Sequence, residues 1–451
     1  MIVFRRRLLY WLIREYAKRL RKTILIFFIL GIAAFFGIRF LITYFLPKIP
    51  LGHKEIIGLA GTFTIDSLPH SIFLEASDGL TKILRDGTPI PSLSESWKIS
   101  PDGKEYVFHL KKNTRFNDGV PATSSNIHFN FSDVSIIKPN QYDIVFRLRN
   151  SYSPFLVTLS KPVFKNGFVG TGEYKIKSID LNGNFVKSLT FISKKNQYHV
   201  KIYQFYPTEE SLKMAFILGE IKSAFGITRP DFRHTSLFSF PNVVVNKKIN
   251  YDKLVSLFYN TQDKIVSDKR LRQGLSYAIP SEFKTGQRSY APFPPGLWAY
   301  QKSVNEPVFD IEHAKVLLAA SNASDSASLS LRIKTLPKYK TTAQRISDAW
   351  KKIGIASTIE VIDTIPSDYQ VFLGDFQIPK DPDQYTLWHS NQDNNITKFK
   401  NVRIDKLLED GRKTIETNSR KKIYADFLKY LLDESPASFL YFPYEYDLVR
   451  K

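Results

Sequence analysis

The chain has 451 residues, 43% of them hydrophobic and 14% aromatic, with a formal net charge of +21. That is enough apolar material for two domains of ordinary size, and it excludes a disordered chain. No cysteine is present, so disulfides, thiolate zinc sites, thiol nucleophiles and a lipid-bearing cysteine are excluded, while either side of a membrane remains open.

The charge is concentrated at the start. Residues 1–50 carry ten basic residues against one acid, Glu15. Beyond them Lys and Arg are scattered without a stripe or reader motif, which argues against nucleic acid as a partner and for a solvated basic surface. Residues 1–22 are a basic segment in which Leu, Trp and Tyr alternate with the charges, as in a helix lying along an inner membrane face. "TILIFFILGIAAFFGIRFLITYFL" follows, residues 23–46, long enough to cross a bilayer as a helix. Arg39 lies where it can reach an interface. The eight basic residues before Thr23 place the N-terminus in the cytoplasm. "YFLPKIP" lacks the small residues of a signal-peptide cleavage site, so an uncleaved anchor is expected, with everything after a linker at 47–53 extracytoplasmic.

"KEIIGLAGTFTID" reads as a strand and turn. In "WKISPDGKEYVFHL" two period-2 runs flank Pro101-Asp102-Gly103, a hairpin signal: Pro presets φ and Gly accepts the left-handed geometry. Asp-Gly recurs at Asp86 and Asp118, read here as three turns of one meander. "PATSSN" then offers Thr and Ser caps for a short helix through Phe131. "YDIVFRLRN" and a hairpin about Asn182-Gly183 continue the strands. Helical periodicity takes over in "TEESLKMAFILGEI", "SDKRLRQGLSYAI", "DIEHAKVLLAAS", "TTAQRISDAWKKIG" and the run from Asn401 to Ser435, with "SLSLRIKTL" and "ASTIEVID" as intervening strands. The Ser/Ala-rich stretch Ala319–Ser330 is a helix-to-strand loop. This is a mixed α/β chain, strand-rich first and alternating later.

Catalytic signals are absent. The histidines show no metal spacing, "GLSYA" fails the nucleophile-elbow pattern, and "GTGEY" is a turn rather than a dinucleotide loop. No enzyme activity, cofactor or metal is expected. Carboxylates gather once, in "DFQIPKDPDQY", at Asp375, Asp381 and Asp383. Three readings stand: a turn with helix cap, a D-x-D metal or glycosyl-transfer role, and a cleft carboxylate receiving a ligand ammonium group. Phe372, Phe376, Tyr385 and Trp388 nearby give the third its physical appeal, because partial desolvation strengthens a charge pair.

Several segments together resemble the extracytoplasmic solute-binding proteins of peptide and nickel ABC importers. They are "LTKILRDGTPIPSLSESWKISPDGKEYVFHLKKNTRFNDGVPAT", "GTGEY", "VSDKRLRQGLSYAIP", "FDIEHAKVLLAAS" and the closing "DPDQYTLWHS…SFLYF", in the family's order from about residue 55 to 445. The resemblance implies a two-lobed, hinge-closing α/β fold of the type II periplasmic-binding-protein class, preceded by one transmembrane helix. Lobe I is expected over 54–260 plus 436–451 and lobe II over 261–435, with crossings near Tyr259 to Asp263 and near Ser435. It implies a membrane-anchored protein that captures peptides in the interlobe cleft for an ABC permease. Another solute (nickel chelate, haem or sugar), or a sensory protein that keeps the fold without transport, is the alternative. By the same resemblance Asp375 in "LGDF" receives the peptide α-ammonium, with Phe372, Tyr385 and, from "APFPPGLWAY", Trp298 as cleft walls. Two departures stand out: the spacer before "DPD" is longer than usual, and the helical insertion after Phe131 is missing.

Overall fold

The computed structural model describes residues 9–11, 14–16, 18–41, 43, 54–302, 306–322 and 329–451. The expected linker at 47–53 and the middle of the Ser/Ala-rich loop, 323–328, lie outside them. The described residues up to Lys54, with Tyr198–Val200, form one compact unit, and the rest of the chain another. In the first, helix α1 (Arg21–Phe40) is apolar and exposed all round. Its twenty residues span about 30 Å, the thickness of a bilayer core.

In the second unit the hairpin signals hold. Strands β1 (Lys54–Ala60), β2 (Thr81–Ile83) and β3 (Pro89–Pro91) precede β4 (Ser94–Ile99) and β5 (Glu105–Leu110), which pair across Gly103 at φ 69°. β6 (Val134–Ile137) and β7 (Asp143–Leu148) complete a four-stranded sheet in the order β4-β5-β7-β6. The three Asp-Gly turns do not form one meander. Asp86-Gly87 joins β2 to β3, a separate two-stranded sheet, and Asp118-Gly119 closes only the bridge between Arg115 and Pro121.

The helix expected through Phe131 is also absent. One 3-10 turn covers Ser124–Asn126, and Thr123 makes no side-chain cap. "NIHFNF" carries apolar residues at every second position, and the extended chain uses them: Ile127 is fully buried, and Phe129 and Phe131 pack on Phe146. Aromatic burial outweighed the capping signal.

Next come β8 (Tyr174–Asn182), β9 (Phe185–Ser193), β10 (Val200–Tyr206), helix α2 (Glu209–Leu218) and β11 (Ser223–Ile227). Thr208 and Ser211 form a capping box at the start of α2, and Gly219 at φ 82° ends it. β12 (Asp231–Phe232) and β13 (Thr235–Ser236) form a small hairpin before β14 (Val243–Ile249) and β15 (Lys253–Tyr259). The later half alternates α3 (Lys269–Tyr277), β16 (Gly286–Arg288), α4 (Ile311–Ala319), β17 (Ser330–Thr335), α5 (Lys340–Lys351), β18 (Ala356–Val361) and β19 (Val371–Gln377). The final periodic run divides into α6 (Val402–Lys413) and α7 (Thr417–Glu434), because Glu416 caps a new helix start. β20 (Ala437–Arg450) closes the chain.

The main sheet runs β18-β17-β19-β15-β20-β11-β1-β10-β9-β8, with β14 and β16 also on β20. β20 spans both halves. Its first part pairs with β15 and β16, and its last part with β11 and β14. β14 and β15 both run beside it, separated by a turn at Asn250–Asp252 where the register shifts by three residues and the Asn250 N–H bridges to the Pro443 carbonyl. A two-stranded antiparallel ribbon therefore joins the halves.

Tyr259 and Ser435, expected at the crossings, lie inside the second half. β15 is buried on both faces, with Val255, Leu257 and Tyr259 in one core and Leu254 and Phe258 in another, both shared with later elements. We place the crossing at Asn250–Asp252 and near Pro443, since β15, buried on both faces, packs with the later elements.

Candidate functional site

Polar space opens beside the ribbon. A cavity of about 840 Å³ is lined by Arg85 and Gly87 of the first half, Asn250 and Asp252 of the crossing, and Leu297 and Lys380 of the second half. Its volume is that of a small-ligand site. Lys380 pairs with Asp252 and Asn250 donates to Glu445, so crossing residues are tied to the segment after β19 and to β20.

Asp375 faces away from this cavity. Side chains alternate along β19, so Phe372 and Phe376 share one core while Asp375 shares the other face with Val371 and Leu373. Asp375 stands opposite Val255, Val255 opposite Tyr441, and Tyr441 opposite Arg288. These four make one row on one face. Lys338 Nζ lies 2.7 Å from the Asp375 carboxylate, whose side chain is 14% exposed against 49% for the lysine. The Tyr339 hydroxyl is pushed far up, first by burial and then by the Asp375 carboxylate. The Tyr441 hydroxyl sits 3.0 Å from Thr342 Oγ1. Burial raises its pKa, while Asp375 from the second half and Arg229 from the first act on it in opposite senses. At the far end of the row Arg288 donates to the carbonyls of Ser289, Phe439 and Leu440, and among the described residues no carboxylate pairs with it. Burial draws its pKa down to about 10.

The other expected residues lie elsewhere. Phe372 is 1% exposed and stacks on Phe258 in the core, which removes it from any wall. Trp298 packs against Tyr424 and Arg420. Its backbone N–H donates to the Asp86 carbonyl across the seam between halves. Tyr385 stacks on His389 and receives the Arg412 guanidinium on its face at 3.9 Å. Of the four, Asp375 alone sits at the charged row.

Asp381 and Asp383 belong to the seam. Arg420 reaches both Asp381 oxygens, at 2.6 and 3.0 Å, with both side chains under one-tenth exposed. Burial works against the Arg420 charge, and Asp381 more than restores it. Asp383 receives Arg412 Nε at 2.8 Å, although its burial still raises its pKa. Both carboxylates also accept backbone N–H groups two residues on, the turn role among the sequence readings. Among the described residues no three His, Asp or Glu side chains gather as metal ligands.

Sequence reasoning missed Lys338, Tyr441, Arg412 and Arg420. No local motif marks any of them, because each meets its partner only through the fold.

A family model described as bacterial extracellular solute-binding proteins, family 5 Middle, matches residues 88–398. The oligopeptide-binding protein AppA of Bacillus subtilis is 22% identical, over 78% of this chain and 78% of its own length. The dipeptide-binding protein of Escherichia coli is 21% identical over 89% of each chain. Among solved structures, NikZ from Campylobacter jejuni in complex with Ni(L-His) superposes with a TM-score of 0.70 at 20% identity, covering 89% of this chain and 95% of that one. The two-lobed fold is shared with these binding proteins.

Proposed function

The chain belongs to the family 5 bacterial extracellular solute-binding proteins, and from that premise we propose that it captures peptides between its halves and passes them to an ABC importer permease. The halves we assign are 54–249 plus 444–451 and 253–443, joined by the ribbon. Closure about that ribbon traps the ligand, because the closed form makes contacts to it from both sides. Helix α1 is the uncleaved anchor in this reading, holding the binding unit outside the cytoplasmic membrane.

The observation that carries the peptide reading is Asp375. It is a mostly buried carboxylate on β19 whose cation, Lys338, is half-exposed on a flexible stem. An exchangeable internal cation marks a place where a ligand ammonium can sit. Tyr441 and Tyr339 frame it, and backbone edges beside the ribbon can pair an extended peptide with few side-chain demands.

The test is a thermal-shift screen of the full chain in detergent against di- to pentapeptides. Saturating peptide at a hundredfold over Kd adds about 2.7 kcal/mol of stability, a readily measured shift. A different solute in the same space is the second reading, favoured by the likeness to the nickel–histidine-binding protein. A shift with nickel–histidine and none with any peptide would decide for it. Protease shaving of intact cells tests the anchor: the binding unit should be cut and a fragment containing α1 left in the membrane.

A further inference from the structure

The last turn of any α-helix leaves carbonyls without intrahelical partners. In α6 those of Gly411, Arg412 and Lys413 are met by donors from the opposite half, with Gly411 also accepting Arg420 Nε of its own half at 3.0 Å. The Ser153 N–H donates to the Arg412 carbonyl at 2.7 Å and the Ser153 hydroxyl to Gly411 at 3.1 Å. The Ser151 hydroxyl donates to Lys413 at 2.7 Å. Between the two serines, Tyr152 places its ring 5.4 Å from the Arg412 guanidinium, whose other face lies on Tyr385.

The donor loop is fixed from behind. Its Tyr152 carbonyl accepts the buried Tyr106 hydroxyl at 3.0 Å, and Phe155 next to it is 2% exposed in the core of the small sheet. That sheet is bound to the rest of the first half by the Ser77 hydroxyl on Val163, by Asn117 on Gly170 and Tyr174, and by Lys165 on Asp118. Gly103, at the tip of the β4–β5 turn, comes so near the second half that a Cβ there would lie 2.8 Å from Ile415.

We propose that the loop Ser151–Ser153 is the catch that holds the two halves closed, by capping the C-terminus of α6 from across the seam. The chemistry suits a reversible contact. Hydroxyl and amide donors meet the negative end of the helix dipole without burying a charge. Water replaces them on both sides when the halves part, so each bond contributes little net free energy and the set can be opened. Arg412 registers the contact, because its stacking on Tyr152 depends on closure while its pair with Asp383 does not. These are positioning residues; they touch no ligand.

The inference rests on the hinge reading above and is tested without a ligand. Because the chain has no cysteine, Ser125→Cys on the first half and Lys422→Cys on the second accept a donor and an acceptor dye in the full chain in nanodiscs. Single-molecule FRET then gives the closed-to-open ratio. Ser151→Ala with Ser153→Ala should lower that ratio about tenfold, from the loss of two hydrogen bonds. Ser160→Ala removes a hydroxyl that bonds Val157 within the first half and should leave it unchanged. Circular dichroism confirms that each variant folds. A double variant indistinguishable from the parent, or matched by Ser160→Ala, overturns the catch alone. Absence of any second FRET state in every variant and with every peptide overturns the hinged reading itself.

Discussion

Lys338 reaches Asp375 from the 3-10 turn that leads into α5, and the cation is more exposed than the carboxylate it neutralises. Such a pair holds the site in an empty protein yet contributes little to stability, because water competes for the lysine. A peptide ammonium that displaces Lys338 gains a carboxylate already held in place on β19. Asp375→Asn is expected to weaken binding of a free-amino peptide by roughly 2–5 kcal/mol, measured by calorimetry. An N-acetylated peptide should bind parent and variant alike. Equal loss for both peptides would remove Asp375 from contact with the amino group.

Arg420 and Asp381 behave differently because both are buried. Removing one partner leaves the other charge unpaired in a dry seam, so Arg420→Met is expected to cost about 3–5 kcal/mol in urea unfolding. Asp381→Asn added to it should recover part of the loss. A single variant within about 0.5 kcal/mol of the parent would show that the seam is wetter than its geometry indicates.

Gly170, in "GTGEY", has a packing reason to be glycine. A Cβ there would lie 2.2 Å from the Ala76 carbonyl oxygen, where backbone must move. Gly183 sits at φ 61° with nothing within 4 Å of a Cβ. Gly170→Ala should cost about 1–3 kcal/mol or more, and Gly183→Ala about 1 kcal/mol through backbone strain. The reverse order in melting temperature would contradict this account.

Tyr259 is fully buried, and burial lifts its hydroxyl to about 12. The native state therefore keeps a proton that the unfolded chain, near 10, has lost. Its contribution to stability is whole below pH 10 and falls away as pH rises toward 12, by roughly 3 kcal/mol over the interval. Tyr259→Phe should flatten the alkaline limb of the stability profile by about one proton. It should also cost stability at pH 7, through the lost bond to Ser438. An unchanged alkaline slope would show that Tyr259 ionises without unfolding.

Local order was legible where one stretch carried its own instructions. The Pro101-Asp102-Gly103 hairpin formed as its turn chemistry requires, and the helix opening after Asp310 carries its cap in sequence. Reading failed where two local signals competed. In "PATSSNIHFNF" the capping residues suggested helix while period-2 aromatics suggested extended chain, and only the waiting surface of Phe146 and Phe155 decides between them. Of the charged pairs described above, one partner was legible. Asp375 stood out through the resemblance, but Lys338 lies 37 positions earlier and Arg420 comes 39 after Asp381. Neither spacing has a helical or strand meaning. Phe372 was misplaced because proximity in sequence to Asp375 does not give proximity in space on a strand, where odd and even separations choose opposite faces.

The ribbon that joins the halves is bonded on both sides of the crossing but not through it. β14 accompanies β20 from Val243 and Arg450 to Ile249 and Tyr444, and β15 from Val255 and Tyr441 to Phe258 and Ala437. Between them five residues stand against two, so the register jumps by three, and the Asn250 N–H on the Pro443 carbonyl is the bond that bridges the gap. A joint of this kind works as a leaf spring with one slack leaf: β20 runs through, while the turn at Tyr251 and Asp252 takes up the bend. Amide hydrogens of β20 within the ribbon should then exchange slowly, and those of Tyr251 and Asp252 faster than the paired residues on either side.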